Sequence, residues 1–216
     1  VGSLSQEDGL RLDVDGLGRK SDNDRRYFVT QDQVERGVSF RLRRGSQPVF
    51  RTVMVTGSPA TAPRPASENL SISKRIRTLT GDRIGLGDIT QGDQLVVALE
   101  VSPRERRNNP VIIADLLPAG FEIETVLRPA DGANEYGADG VFGWVGEIDS
   151  AETAEARDDR FVAAIDVVDE ARTLAYVVRA VTPGTFTMPG VVAEDMYRPD
   201  VFARSAASEV TIAPQV

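Results

Sequence analysis

The stretch TLAYVVRAVT, residues 173–182, indicates the fold more strongly than any other part of the sequence. Apolar side chains occupy both of the alternating faces that a β-strand presents. A strand that is apolar on both faces is typical of the centre of a sheet with a covering layer on each side. Pro183 and Gly184 follow at once and predict a turn. The stretch therefore predicts a central strand, with a nearby helix as one of its two covers.

Short apolar segments separated by turn residues recur on both sides of this stretch. Their spacing of roughly 8–12 residues is typical of a β-sandwich, so the sequence predicts an all-β protein. The other strands predicted in the C-terminal part are 70–79, 94–101, 111–117, 121–127, 141–148, 161–167, 185–188, 191–193 and 208–213.

One helix is expected, at residues 150–159. Asp149 and Glu152 have the spacing of a capping box, and Ala151, Ala154 and Ala156 favour helix. It is the helix that we expect to cover the central strand.

The N-terminal part differs in composition. Residues 1–26 are polar and broken by glycines, which indicates a frayed end or the last part of a domain. Alternating residues at 38–43 and 49–56 predict a hairpin. Residues 57–67 hold three prolines and predict a linker. We therefore expect two domains, an incomplete or small β-sandwich segment at 1–60 and a complete sandwich at 61–216.

Composition excludes several classes of chemistry. The 216 residues include no cysteine and no histidine. Disulfides, zinc–thiolate sites, thiol nucleophiles and imidazole bases are therefore excluded from this chain. We expect no cofactor and no catalytic residues.

The charge distribution predicts no nucleic-acid binding. Lys and Arg number 25 against 33 Asp and Glu, a net charge of −8. The one basic cluster, around Arg41, Arg43, Arg44 and Arg51, has no interleaved aromatic residues for base stacking.

No apolar run approaches the ~20 residues that span a bilayer, so direct membrane insertion is not expected. The start at Val1, without Met or a leader, leads us to expect a piece of a longer protein.

Three polar segments are candidate sites. Residues 131–140 offer oxygen ligands for calcium, but Tyr136 stands where an EF-hand loop needs glycine, so we predict a solvated loop and no metal. Arg157, Asp158, Asp159 and Arg160 form either a carboxylate pair or a salt-bridged helix-to-strand junction, and the adjacent acids favour the junction.

The third segment is the sequence of Glu194, Asp195, Met196 and Tyr197. It is either a strand end with an aromatic residue packed inward, or a contact patch for a partner.

Four blocks in the C-terminal two thirds resemble the end of bacterial alpha-2-macroglobulins and follow in the same order as in that family. They are Asp115–Glu122, Arg157–Ala164, Ala180–Phe186 and Glu194–Tyr197. Upstream, Arg44–Phe50 and Val55–Pro59 resemble the stretch that follows the family's thioester domain. The resemblance covers roughly residues 38–214 and is to the C-terminal macroglobulin-like domain, the counterpart of the eukaryotic receptor-binding domain.

The resemblance implies macroglobulin-like antiparallel sandwiches in a periplasmic, broad-spectrum endopeptidase inhibitor that traps proteases. In that family a protease cuts a bait region, and a buried Cys–Gln thioester then acylates the protease. This chain has no cysteine, so the reactive bond would lie in another part of the parent. The resemblance implies that this domain packs against the thioester domain and shields it.

Met196 and Tyr197 suit such a shield, with Glu194, Asp195 and Arg157–Arg160 as its polar rim. The expected partners are the other domains of the parent and, through the parent, target proteases. The resemblance leaves open an association with a cell-wall synthase and a lipid anchor of the parent to the inner membrane.

Two alternative functions remain at this level. An adhesin-like or carbohydrate- or protein-binding sandwich should display exposed aromatic residues, but aromatics are only 6% of the chain and Trp144 lies on an apolar segment. A carboxylate hydrolase would need two opposed acids, and no spacing here provides them.

Overall fold

The computed structural model describes residues 11–14, 30–37, 40–44, 61–132, 140 and 142–215. The chain divides into two compact units, residues 1–58 and 59–216. In the first unit, strand β1 (Arg11–Val14) pairs antiparallel with β2 (Phe40–Arg44), and helix α1 (Gln31–Arg36) lies between them in sequence. The second strand of the predicted hairpin, residues 49–56, lies outside the described residues.

The described residues of the second unit form thirteen strands. They are β3 (Ala66–Glu68), β4 (Leu70–Thr78), β5 (Ile89–Thr90), β6 (Gln94–Pro103), β7 (Asn109–Leu116), β8 (Phe121–Val126), β9 (Thr153–Arg157), β10 (Arg160–Val167), β11 (Arg172–Ala180), β12 (Gly184–Met188), β13 (Val192–Asp195), β14 (Phe202–Arg204) and β15 (Ser208–Ala213).

These strands form a sandwich of two main sheets. One has six strands in the order β3-β14-β13-β7-β10-β9, and the other has four in the order β4-β6-β11-β8, with all neighbours antiparallel. A third sheet, β12-β15-β5, includes one parallel pair, β15 with β5. Asn69, with φ of 58°, lies where the chain passes from β3 in one main sheet to β4 in the other, and asparagine tolerates that left-handed conformation. The all-β fold predicted from the sequence is confirmed.

The core lies between the two main sheets, and β11 is at its centre. Leu174, Tyr176 and Val178 point into this core and are buried. The ring of Tyr176 stacks on Phe161 of the opposite sheet, with ring centroids 4.7 Å apart. The prediction that residues 173–182 hold a central strand is confirmed, because β11 pairs with β6 on one side and β8 on the other.

The outer face of β11 is also buried, but no helix of the described residues covers it. Ala175 and Val177 pack against Val145 and Ile148, beneath the ring of Trp144. Val145 and Trp144 belong to a short 3₁₀ turn, Gly143–Val145, so the expected strand at 141–148 is wrong. The indole nitrogen of Trp144 donates to the carbonyl of Leu79 at 3.0 Å, which fastens this cover to the end of β4.

The helix predicted at residues 150–159 is wrong. Residues 153–157 form the edge strand β9, which pairs antiparallel with β10. Asp149 does not cap a helix, because its carboxylate accepts hydrogen bonds from the Arg172 guanidinium at 2.9 Å and the Thr173 N–H at 2.7 Å. The Glu152 N–H donates to the carbonyl of Ala164 at 2.9 Å, so both capping residues are used by the sheets.

Candidate interdomain contact site

The two predicted contact segments lie at opposite ends of β7. That strand pairs with β10 on one side, where Arg160 lies opposite Leu116, and with β13 on the other, where Asp195 lies opposite Val111. Leu116 lies five residue steps beyond Val111 on β7, or about 17 Å at about 3.4 Å a step. Arg157–Arg160 therefore cannot closely encircle Met196 and Tyr197. The segments are two separate turns, which we name the acidic-basic turn (residues 157–160) and the tyrosine turn (residues 195–198).

The acidic-basic turn is exposed and held by its own charges. The Arg160 guanidinium makes two hydrogen bonds to the Asp159 carboxylate, at 2.6 and 3.0 Å. Arg157 pairs with Glu155 at 2.8 Å. The hydrogen bond from Arg160 lowers the pKa of Asp159, against an opposing effect of burial. The predicted salt-bridged junction is therefore present, but it joins two strands and not a helix to a strand.

The tyrosine turn is built on a buried carboxylate. Asp195 ends β13, and its side chain has no exposed surface. One of its oxygens accepts the backbone N–H of Tyr197 at 3.0 Å and that of Arg198 at 2.9 Å. The other oxygen accepts a hydrogen bond from the Arg198 guanidinium. One oxygen thus holds the backbone of the turn, and the other holds the Arg198 side chain.

Arg198 links this turn to the neighbouring strand. Its Nη2 also donates to the carbonyl of Asn108 at 2.9 Å and to Oδ1 of Asn109 at 3.0 Å. Asn109, itself buried, donates through Nδ2 to the carbonyls of Arg107 and Val167, at 2.7 and 2.9 Å. The network therefore ties the tyrosine turn to β7 and to the end of β10.

Two opposing effects act on the pKa of Asp195. Burial favours the neutral acid and raises the pKa. The hydrogen bonds from the Arg198 guanidinium and from the N–H groups of Tyr197 and Arg198 stabilise the carboxylate and outweigh burial, so the pKa lies below its ordinary value. Asp195 is therefore a carboxylate at neutral pH.

Two large apolar side chains project from this rigid turn. Met196 is 44% exposed and Tyr197 is 81% exposed. The alternative that an aromatic residue of this segment packs inward is therefore wrong, because Tyr197 has little contact with its own domain. Glu194, one residue earlier on β13, is half-buried. An ordered backbone that presents an exposed tyrosine is a geometry suited to contact with a partner.

A second buried carboxylate was not singled out from the sequence. Asp115 points into the core from β7, where it accepts the Lys74 ammonium at 2.8 Å and the Tyr176 hydroxyl at 2.7 Å. Burial and the neighbouring Asp115 charge raise the pKa of Tyr176, so its hydroxyl stays protonated. The sequence does contain a signal for this burial: Asp115 falls on the same inward face of the strand as Val111 and Ile113, in the alternation of buried residues. This ion pair joins the two main sheets.

Within the described ranges, no cluster of three or more acidic side chains is arranged to hold a metal ion. Most of the candidate calcium loop, residues 133–139 of 131–140, lies outside them. No helix among the described residues is long and apolar enough to cross a membrane.

A protein-family comparison identifies the domain. Residues 70–200, more than half of the chain, match the family described as the bacterial alpha-2-macroglobulin MG10 domain. The chain belongs to the bacterial alpha-2-macroglobulin family. The resemblance in the four ordered blocks is thereby confirmed, and both turns described above lie inside the matched MG10 region.

Known alpha-2-macroglobulins match the chain in sequence and in structure. The protein of Escherichia coli K12 is 36% identical over 173 residues, which cover 78% of this chain and 10% of that protein. The Salmonella protein reacted with methylamine is 36% identical, with a TM-score of 0.63 over 73% of this chain and 10% of that one. The E. coli protein activated by porcine elastase is 33% identical, with a TM-score of 0.59 over 73% of this chain and 14% of that one.

The chain spans about a tenth of the length of the curated relatives that it matches. It is therefore one module of a multidomain macroglobulin.

Proposed function

We propose that this MG10 domain is a non-catalytic module of a periplasmic alpha-2-macroglobulin that inhibits a broad range of endopeptidases. The observation that carries the proposal is Tyr197, 81% exposed on a turn whose backbone is held by a buried carboxylate. In this proposal Met196 and Tyr197 pack against the thioester domain of the parent and exclude water and amines from a thioester bond.

The physical requirement for such a shield is a closed apolar contact. A thioester is attacked by water and by amines, so its lifetime depends on how well solvent is excluded around it. A tyrosine ring and a thioether supply apolar surface, and neither brings a charge that would need solvation. The buried Asp195 holds the backbone before the partner docks, so little conformational entropy is lost on contact.

Two relatives support the proposal, because one has been reacted with an amine and the other has been activated by a protease. The Salmonella relative has been reacted with methylamine, and the E. coli relative has been activated by porcine elastase. Because this chain has no cysteine, the thioester of the proposal belongs to another domain of the parent. The proposal also includes the domain bounds of 1–60 and 61–216, with the first segment following the thioester domain.

The test is the rate at which the full-length parent reacts with methylamine, followed as the appearance of a free thiol. We expect Tyr197→Ala to raise this rate roughly tenfold, the effect of losing about 1.4 kcal/mol of contact energy. Met196→Ala should raise it less, because its exposed surface is smaller. Tyr197→Phe, which keeps the ring, should leave the rate unchanged.

Thr187→Ala, an exposed substitution on β12, serves as the matched control and should also leave the rate unchanged. The proposal is wrong if Tyr197→Ala reacts at the wild-type rate, or if the wild-type parent takes up no methylamine even after protease cleavage.

A further inference from the structure

The six-stranded sheet has an outer face that no described part of its own unit covers. In an antiparallel sheet with one exposed face, the outward positions are usually polar. Here three consecutive outward positions of β7 are apolar, and Ile112 and Leu116 are each 41% exposed. We name this surface the open face, with the outward residues Ile112, Ala114, Leu116, Val162, Ala164 and Val192.

The strand register makes these side chains neighbours. Val162, Ala114 and Val192 lie opposite one another across β10, β7 and β13. In the next row Ala164 lies opposite Ile112. Directly opposed side chains have Cβ atoms about 4.5–5.5 Å apart, so the open face is continuous and not a scatter of single residues. Contiguous exposed apolar surface of this kind marks an interaction site.

The borders of the open face are polar and carry both charges. Arg160 and Asp166 lie at the two ends of β10, and Arg204 lies on β14. Glu194 lies inside this border, on β13 opposite Ile112. An apolar centre with a mixed polar border is the usual composition of a protein–protein interface, and it differs from the single-sign surface that binds nucleic acid or anionic lipid.

The open face is continuous with the tyrosine turn. The Met196 N–H donates to the carbonyl of Pro110 at 2.9 Å, and Pro110 is the outward residue that precedes Ile112 on β7. At the opposite end, Leu116 lies opposite Arg160 of the acidic-basic turn. The two predicted contact segments therefore border one surface from its two ends.

We propose that the open face is the docking surface for a neighbouring domain of the same macroglobulin polypeptide. The chain spans only about a tenth of its curated relatives, so most of the polypeptide that would cover this sheet lies outside it. The apolar centre fits a partner surface of equally apolar character. The proposal depends on membership in a multidomain parent and not on the shielding of a thioester.

The test uses introduced thiols, since this chain has none of its own. Ala164→Cys places a thiol at the centre of the open face, and Ala114→Cys repeats the test on the adjacent strand. Thr187→Cys, on the exposed side of β12, is the control. The labelling rate with a maleimide is measured in the 216-residue chain and in the full-length parent, with the unsubstituted parent as the background.

We expect all three thiols to label readily in the 216-residue chain. In the parent, the thiols at 164 and 114 should label about tenfold more slowly or slower still. This is the ratio expected if about 1.4 kcal/mol is needed to separate the docked domain from the open face. The labelling rate of the thiol at 187 should be the same in the chain and in the parent. Equal rates in the chain and the parent at both positions would overturn the proposal.

A short photoactivatable cross-linker on the thiol of the Ala164→Cys variant identifies the occupant by mass spectrometry. A cross-link to another domain of the same polypeptide supports the proposal, whereas a link to a second copy or to a different protein overturns it.

If the thiols are protected but Tyr197→Ala does not change the methylamine rate, the shielding function fails and the docking surface stands. The reverse result rejects only the docking surface.

Discussion

The two turns that border the six-stranded sheet both contain an aspartate paired with an arginine. They differ in whether the aspartate is exposed or buried. In the acidic-basic turn, Asp159 and Arg160 pair with each other on the surface, with side chains 61% and 45% exposed. In the tyrosine turn, Asp195 is fully buried and holds backbone N–H groups as well as a guanidinium. The comparison teaches that burial, not the number of charges, decides whether a charged turn can order the residues beside it.

The largest expected effect tests this rule at the second buried carboxylate, Asp115. Lys74→Met removes its cationic partner and leaves a buried charge with only the Tyr176 hydroxyl. We expect a loss of about 3–5 kcal/mol in the free energy of unfolding, measured by urea denaturation of the chain. Arg75→Met is the matched control on the same strand, because Arg75 pairs with Glu100 at 3.7 Å in the open, and it should cost less than about 0.5 kcal/mol. Equal losses for the two variants would refute the rule.

The next effect compares the two turns directly. Asp195→Asn keeps the shape of the side chain but loses the charge that binds Arg198, and we expect a loss of about 2 kcal/mol. Asp159→Asn, the same change on the acidic-basic turn, should leave the urea midpoint unchanged. Hydrogen exchange should show faster opening of the Tyr197 and Arg198 amides in Asp195→Asn only. A larger shift of the midpoint for Asp159→Asn would reverse the comparison.

A third prediction uses pH. The pKa of Asp195 is lowered by folding from an ordinary value of 3.8. The stabilisation that it provides is therefore complete above about pH 5 and is lost as the pH falls through the folded-state pKa. Asp195→Asn has no carboxylate to protonate, so the difference in stability between wild type and variant should shrink between about pH 5 and pH 2. Thermal melts across this range measure it, and a difference that stays constant contradicts the prediction.

The smallest expected effect separates the framework of the tyrosine turn from the side chain that it displays. Tyr197→Ala retains the backbone N–H that Asp195 binds, and the lost ring is mostly in solvent. The free energy of unfolding of the chain should change by less than about 0.5 kcal/mol. A loss as large as that of Asp195→Asn would mean that the ring itself stabilises the domain, which would weaken its assignment as a contact residue.

The sequence was most informative where one period dominates. Strands β7 and β10 alternate between buried and more exposed residues, because only one of their faces meets the core. Strands β6 and β11 are apolar on both faces, because the core buries one face and the segment around Trp144 packs on the other. The segment at 150–159 was predicted wrongly because its helical signals are local, whereas the partners of Asp149 lie more than twenty residues later, on β11. Strand pairing over that distance cannot be read from composition or from short spacing.

The candidate site shows the same limit. The segment from Glu194 to Tyr197 could be selected as a candidate contact, but whether Tyr197 points in or out depends on Arg198, on the buried Asp195 and on Asn109 of a distant strand. The separation of the two turns by about 17 Å is likewise a property of register, since it needs both neighbours of β7 to be known.

The loop that covers the outer face of β11 contains a tryptophan whose intrinsic fluorescence can report on this segment. Trp144 is the single tryptophan of the 216 residues, and its indole is fastened to Leu79. Gly81, with φ of +90°, allows the ring to pack against the backbone, where a Cβ atom would come within 2.7 Å of it. Fluorescence emission therefore follows the release of this one segment, while circular dichroism follows all the strands. Transitions that coincide would show that the cover and the sandwich unfold as one cooperative unit.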